Sequence, residues 1–174
     1  MCGTTLTASR KKTGYAKPKG YKAISFSAWD KANLIATSPT GVLELPVGMT
    51  SIYRFEVKNP ADNFIETATK DMATMTSDKA GTGTFALMYC DRIKNLNDAQ
   101  ALLDGVWNVF LESNDAASTI EVAGTVNGAE ILTVVESTDA QGFVFTFATT
   151  EPIFKQTLTA PAVEDYNSAI VATA

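Results

Sequence analysis

The 174-residue sequence contains no histidine. Histidine is the commonest general base in proteins, so its absence excludes a Ser-His-Asp triad and a Cys-His pair. The remaining acid–base candidates are carboxylates, such as Glu130 with Glu136 or Asp62 with Glu66. A catalytic carboxylate pair needs an enclosing cleft, which a sequence does not reveal, and solvated strand charges are the commoner explanation. We therefore expect no enzymatic activity, no cofactor and no metal.

Long apolar runs and cysteines are also scarce. No apolar run approaches the roughly 18–20 residues of a membrane span, and the basic N-terminus lacks the apolar segment of a signal peptide. The two cysteines, Cys2 and Cys90, suit neither a disulfide framework nor a zinc site, and we expect free thiols. These absences predict a protein that is made in the cytoplasm and does not span a membrane.

Basic residues are concentrated at the N-terminus. Residues 1–22 hold six of the 14 basic residues and no acid, whereas the rest of the chain holds 8 basic and all 19 acidic residues. Three of the six, Arg10, Lys11 and Lys12, are consecutive. Such an arm suits binding to nucleic acid, to an anionic membrane or to the acidic body of a neighbouring copy, and it is equally compatible with a solvated tail.

Size and composition fit one globular domain, since 45% of the residues are hydrophobic and 19% are charged. Most segments alternate apolar and polar residues with the period of a β-strand, which predicts a mainly β protein. We expect three parts, namely a basic N-terminal arm at 1–22, a β-domain at 23–154 and a small, weakly acidic C-terminal arm at 155–174.

Two extended segments at 51–76 form the centre of the predicted sheet. In the first, Tyr53, Phe55 and Val57 share one face, and Asn59-Pro60 then favours a turn. The second, residues 63–76, is rich in threonine and has few bulky aliphatic side chains, which is typical of a long antiparallel strand with one wet face. A wet sheet face needs water or a partner.

Turn signals and an aromatic stripe organise the rest of the β-domain. Glycines within 77–83 predict the next turn, and Asn127-Gly128 predicts a hairpin between strands at 118–123 and 129–136. Phe143, Phe145 and Phe147 fall on one face of a further strand and mark the core.

A protruding loop is expected at 37–50. Exposure of Leu43, Leu45 and Val47 in this loop is costly for a monomer, so we expect the loop to contact a partner.

One short helix is predicted at 97–104. Asn97 is a suitable N-cap with Gln100 three residues later, and Gly105 suits the position after the helix. Its apolar stripe consists of Ala99, Leu102 and Leu103. Two turns are too short for stability in isolation, so this helix must pack on the sheet or on another chain.

The order of these segments resembles that of tail tube proteins of tailed bacteriophages, most closely the short tail tube sequences of phages that infect Bacteroidetes-type hosts. The resemblance covers about residues 20–155. It rests on the strand order and on a few strings, namely Ile52-Tyr53-Arg54-Phe55, Asn63-Phe64-Ile65-Glu66-Thr67 and a Phe-rich strand before Glu151-Pro152.

The resemblance implies an antiparallel β-barrel or sandwich with one short flanking α-helix. It also implies a virion structural protein that forms hexameric rings, stacks ring on ring and conducts DNA through an acidic channel without specific binding. Channel-facing candidates are Glu66 and Asp71, with Lys70 weakening a uniformly acidic lining. The 37–50 loop, with Leu43, Leu45 and Val47, and the basic arm, with Arg10, Lys11 and Lys12, would make contacts between rings. Ala99, Leu102 and Leu103 would pack between subunits or under the tube wall.

The partners implied by this resemblance are other copies of the chain, other tail or neck proteins and the passing DNA, with no membrane. The protein would lie in the virion tail after assembly in the host cytoplasm. The alternative is a monomeric or low-order β-sandwich that decorates a capsid or joins head to tail through its loops. Coverage of both faces of the 51–76 strands within one chain would favour the alternative.

Overall fold

The computed structural model describes residues 20–57, 63–88, 92–115, 117–137 and 142–172. Within these residues the chain forms nine strands and two helices. The strands are β1 (Tyr21–Ala28), β2 (Tyr53–Glu56), β3 (Asn63–Lys70), β4 (Ser77–Met88), β5 (Val106–Ser113), β6 (Ile120–Ala123), β7 (Ala129–Ser137), β8 (Gly142–Glu151) and β9 (Gln156–Thr157). Helix α1 (Arg92–Asp104) precedes β5, and helix α2 (Ala160–Ala169) follows β9. The predicted mainly β fold is confirmed.

All strand pairs are antiparallel, in the order β2-β1-β5-β7-β8-β4-β3, with β6 beside β5 and β9 beside β6. The sheet folds over at β5, because Val106 and Trp107 pair with β7 whereas residues 109–112 pair with β6. This change of partner produces a first layer, β2-β1-β5-β6-β9, and a second layer, β7-β8-β4-β3. The sheet does not close into a barrel, so the architecture is a sandwich.

The main core lies between the two layers. Phe143, Phe145 and Phe147 of β8 are buried there, as their alternation predicts. The ring of Phe147 stacks on Phe64 of β3 and Phe85 of β4, with centroids 5.3 and 5.8 Å apart. Burying each such aromatic side chain contributes about 1.5–3 kcal/mol, which makes this stack a main attachment between neighbouring strands.

A second core lies on the other face of the first layer, against α2. Along β5, Val109 and Leu111 enter the main core, whereas Phe110 enters the second core. Tyr166 of α2 is 1% exposed; its ring lies 5.3 Å from that of Phe110, and its Oη lies 2.6 Å from Oγ of Ser25. The first layer is therefore covered on both faces.

The prediction of a C-terminal arm at 155–174 is wrong in its described part. Pro161 lies in the first turn of α2, where its missing N–H costs nothing. Ala162 and Tyr166, four residues apart, form the buried face of the helix. Short apolar side chains between polar residues hid this pattern.

Helix α1 begins at Arg92, five residues before the predicted N-cap Asn97, and ends at Asp104 as predicted. Ala99 and Leu102 are buried in the main core, and Leu103 is 40% exposed. Gly105 is not in the left-handed conformation expected after the helix. A glycine is needed at position 105 because the indole of Trp107 occupies the space that a Cβ atom would take. The same indole is held in place by its Nε1, which donates to the Leu102 carbonyl at 2.8 Å.

Two turn predictions are wrong. The strand predicted at 63–76 ends at Lys70, so the turn lies at residues 71–76, and the glycine-rich segment at 77–83 is part of β4. Gly81 and Gly83 lie against the rings of Phe64 and Phe147, so they permit close packing instead of a turn. The 124–128 segment does not close a hairpin, because β6 pairs with β5 and β9 whereas β7 pairs with β8 and β5. It crosses from the first layer to the second.

Candidate assembly surface

The outward face of the second layer is not covered by any other described part of the chain. Cross-strand pairing aligns Ile65 with Thr82 and Ala148, and aligns Thr84 with Thr146 and Thr133. We call this surface the open face. Its members are Ile65, Thr67, Thr69, Ala80, Thr82, Thr84, Thr133, Val135, Val144, Thr146 and Ala148, all exposed or half-buried. The expected wet face of the β3 strand is thus present, and it extends over four strands.

The chemistry of the open face is neutral and hydroxyl-rich. Oγ1 of Thr84 lies 3.1 Å from Oγ1 of Thr146 on the neighbouring strand. The charged residues on this side of the layer, Asp78 beside Thr69 and Glu130 beside Ala148, lie near its borders. An uncharged sheet face of threonine and aliphatic side chains differs from the acidic lining that the resemblance implies.

None of the three predicted channel residues lies on the open face. Glu66 points to the inner side of β3, where its side chain is 10% exposed and its Oε1 accepts the Lys155 backbone N–H at 2.7 Å. Lys70 is exposed on that same side of the strand, at its end. The assignment of Glu66 as a channel-facing acid is wrong because its carboxylate is used within the chain.

Asp71 lies in the turn between β3 and β4, at the tip of their hairpin. Its Oδ1 accepts the backbone N–H of Ala73 at 2.8 Å, which with the Thr74 donors lowers the pKa of this carboxyl below its usual value. Met72 and Met75 are 74% and 61% exposed beside it, and Met75 has a φ of 58°. The role of Asp71 is therefore to shape the turn, which leaves two methionines uncovered.

The edge of β3 is unpaired in the described chain. Strand β3 stands at one end of the strand path and β2 at the other, and no described strand lies along the outer edge of β3. The prediction that the two segments of 51–76 form the centre of the sheet is therefore wrong, since they do not pair with each other; β2 belongs to the layer that is covered on both faces, whereas β3 is covered on one. The edge is eight residues long. Outward N–H and C=O groups alternate with those that bond to β4, so this edge is a template for another strand. At the β2 end, Ile52 is already bonded to residues 169 and 171, which leaves a shorter edge beside Arg54 and Glu56.

The loop predicted at 37–50 exposes two of its three candidate contact residues. Leu43 and Val47 are 54% and 98% exposed, whereas Leu45 is 7% exposed and belongs to the second core. The Leu45 backbone N–H donates to Oδ2 of Asp165 at 3.1 Å, which holds it against α2. Leu45 is thus not a contact residue. The basic candidates Arg10, Lys11 and Lys12 lie outside the described residues.

The stripe on helix α1 packs on its own chain. Ala99 and Leu102 are 5% and 4% exposed among residues of both sheet layers. They are not available to a second subunit, and only Leu103 of the predicted stripe remains exposed. The short length of the predicted helix left this choice between its own sheet and another chain open.

A polar cluster that sequence reasoning missed lies beneath β3. Oη of Tyr21 donates to Oε2 of Glu121 at 3.0 Å, and burial followed by this carboxylate raises the pKa of the Tyr21 hydroxyl. Nζ of Lys155 lies between Glu121 and Glu66, at 3.6 and 3.7 Å. The residues come from four separate segments, so no local spacing in the sequence indicates the cluster.

A second network links three strands within the first layer. Glu112 of β5 receives Nε and Nη2 of Arg54 at 3.0 and 2.9 Å and pairs with Nζ of Lys22 at 2.8 Å. The side chain of Glu112 is 13% exposed. This network holds β1, β2 and β5 together. The charged side chains of Lys22, Arg54 and Glu112 therefore have a structural role.

The described part of the chain contains neither a cluster of metal ligands nor a helix able to span a membrane. There, no three Cys, Asp or Glu side chains are grouped closely enough to hold a metal ion. Neither described helix combines the length and the apolar character needed to cross a bilayer. Comparison with known proteins found no family model, no curated protein and no solved structure that matches the chain.

Proposed function

We propose that this chain is a self-assembling structural protein, a tail tube subunit of a tailed bacteriophage whose copies form stacked rings around a DNA-conducting channel. The observation that supports this function best is the eight-residue edge of β3 beside an uncovered sheet face. Natural proteins protect long edges with charge, proline or a covering segment, because a bare edge recruits further strands. Pairing with a neighbouring copy removes this hazard.

Ring formation requires a contact between different surfaces of neighbouring copies. The outer edge of β3 in one copy would pair with the short edge of β2 in the next copy. This edge lies beside Arg54 and Glu56, because Ile52 is already bonded within its own chain. Such a contact repeats around an axis and brings the open face of every copy to the same position in the ring. Pairing of β3 with β3 would instead produce a closed dimer.

The channel lining in this proposal is the open face. Threonine hydroxyls and aliphatic groups, of which Ile65 and Val135 are more than half exposed, do not neutralise phosphates, so they release no counterions and hold DNA weakly. Asp78 and Glu130 add negative charge near the borders, and the whole chain has a net charge of −5. DNA would thus pass without specific binding, through a lining that is neutral instead of acidic.

Further contacts would come from the apolar groups that the single chain leaves uncovered. Val47 and Leu43 in the loop, and Met72 and Met75 at the hairpin tip, are each more than half exposed. Exposed groups of this kind suit contacts between rings or with other tail and neck proteins. The protein would then be located in the virion tail after assembly in the host cytoplasm.

The test is negative-stain electron microscopy at rising concentration of the wild type and two proline variants, Thr67→Pro and Ala68→Pro. Backbone groups of successive residues point to opposite edges, so one of these prolines removes an outward N–H and the other removes a bond to β4. The variant that keeps its fold by circular dichroism should form no rings, whereas the wild type forms rings with a central hole.

Rings in the fold-preserving variant would contradict pairing through β3. Single small particles of the wild type at every concentration would favour the alternative, a capsid decoration or head–tail joining module. In that case the loop with Leu43 and Val47 is the surface to examine. Closed dimers would indicate β3-to-β3 pairing and argue against a tube.

A further inference from the structure

The inner side of β3 is held by few side chains. Phe64 is 4% exposed and Glu66 has a side chain 10% exposed, whereas Ala68 and Lys70, further along the same side, are exposed. The edge strand proposed to recruit the next copy therefore depends on two inward residues and on its pairing with β4. Edge strands with so few buried contacts open at low free energy.

One residue, Lys155, contacts both of these inward side chains. Its backbone N–H donates to Oε1 of Glu66 at 2.7 Å, and its Nζ lies 3.7 Å from Oε2 of the same carboxylate. The Nζ atom also lies 5.6 Å from the centroid of the Phe64 ring. Lys155 follows β8 and precedes β9, so a segment at the border of the two layers contacts the edge strand from beneath.

The same ammonium group serves a second carboxylate on the other layer. Nζ lies 3.6 Å from Oε2 of Glu121 on β6. The side chains of Lys155, Glu66 and Glu121 are 21%, 10% and 27% exposed, so their charges are shielded from water more than those of surface pairs. Without the ammonium, two half-buried carboxylates would share the space between β3 and β6 with no cation, which favours separation of the strands.

We propose that Lys155 is a positioning residue for assembly, which clamps the edge strand β3 to the first layer so that its outer edge is ordered before a neighbour arrives. The proposal rests on the assembly function proposed above. A strand that is already ordered loses less conformational freedom when it pairs, so the clamp lowers the protein concentration at which copies associate.

The test is hydrogen exchange measured by mass spectrometry on full-length Lys155→Met at a concentration where the protein is monomeric. Methionine keeps the length and the backbone donor but not the charge. Exchange in β3 and the adjoining part of β4 should become faster by about tenfold, with β1 and β5 unchanged. Lys31→Met, at an exposed lysine after β1, is the matched control and should leave β3 unchanged.

Lys155→Arg and assembly measurements complete the test. Arginine keeps the cation and should restore the protection of β3, whereas Lys155→Met should raise the concentration needed for rings by about tenfold. Unchanged exchange of β3 in Lys155→Met would overturn the proposal, as would faster exchange throughout the chain, which indicates general destabilisation. If the wild type forms no rings, the assembly function fails, whereas the exchange data still decide whether Lys155 holds β3.

Discussion

Glu151 shows how a single buried carboxylate organises the crossing between the two layers. This residue is 4% exposed, and its carboxylate accepts the backbone N–H groups of Val126 and Asn127, at 3.0 and 2.9 Å. Burial raises the pKa of the Glu151 carboxyl above its usual value, and the charge of Glu66 raises it further, although the backbone donors lower it. The residue therefore holds the 124–128 segment at the cost of burying a charge.

The raised pKa of Glu151 predicts a pH dependence of stability. The folded state retains the Glu151 proton to higher pH than the unfolded state, in which glutamate titrates near pH 4.3. The free energy of unfolding of the wild type, relative to Glu151→Gln, should thus fall as pH rises from about 4.3 through the raised folded pKa. Urea denaturation at several pH values measures this difference.

Glu130→Gln, which removes an exposed carboxylate from the same layer, is the control for the loss of one charge. A difference between wild type and Glu151→Gln that instead grows with pH would mean that the backbone donors outweigh burial. The Glu151 pKa would then be lowered in the folded protein.

At the scale of elements, helix α2 is the part of the chain that determines whether the first layer is covered. Tyr166 fills the second core beside Phe110 and lies within hydrogen-bonding distance of Ser25. Ile52 is bonded to Ala169, the last residue of the helix, and to Val171 just after it, so α2 also fixes the start of β2. A C-terminal arm without this packing would leave the second core open to water.

Tyr166→Ala should lower the free energy of unfolding by about 3–5 kcal/mol, because it removes a fully buried ring and leaves a cavity. Asn167→Ala, at the exposed neighbouring position, should change it by less than about 0.5 kcal/mol. Tyr166→Phe isolates the hydroxyl and should cost about 1 kcal/mol. Urea denaturation measures all three, and a small effect of Tyr166→Ala would show that α2 is dispensable for the first layer.

Local pattern was sufficient for some elements and insufficient for others. The alternating Phe143, Phe145 and Phe147 correctly predict a core strand, because a period of two places them on one face whatever surrounds them. Gly81 and Gly83 suggest a turn, yet they lie mid-strand against aromatic rings that come from distant positions. A glycine reports a need for space or for unusual dihedral angles, and only the neighbours decide which.

For the whole molecule, the neutral open face predicts how the proposed assembly treats DNA. Assembled wild-type rings should retain little double-stranded DNA in a gel-shift assay, whereas Thr82→Lys adds one cation per subunit to the open face and should increase retention steeply at low salt. Asn167→Lys, on the exposed side of α2, adds the same charge far from the open face and is the control. Equal retention by the two variants would argue against the open face as the channel lining.

The sequence by itself determined the mainly β fold, the Phe core strand, the end of α1 and the presence of a wet face on β3. Local periodicity is enough for such features. In β3, for example, alternation places residues 65 and 67 on one side of the strand and residues 64 and 66 on the other. Only the tertiary structure decided that Phe64 and Glu66 face inward, since Lys155 and Phe147, which hold them there, lie far along the chain. Periodicity relates neighbours within one strand, whereas the choice of buried face depends on long-range partners that no local pattern encodes.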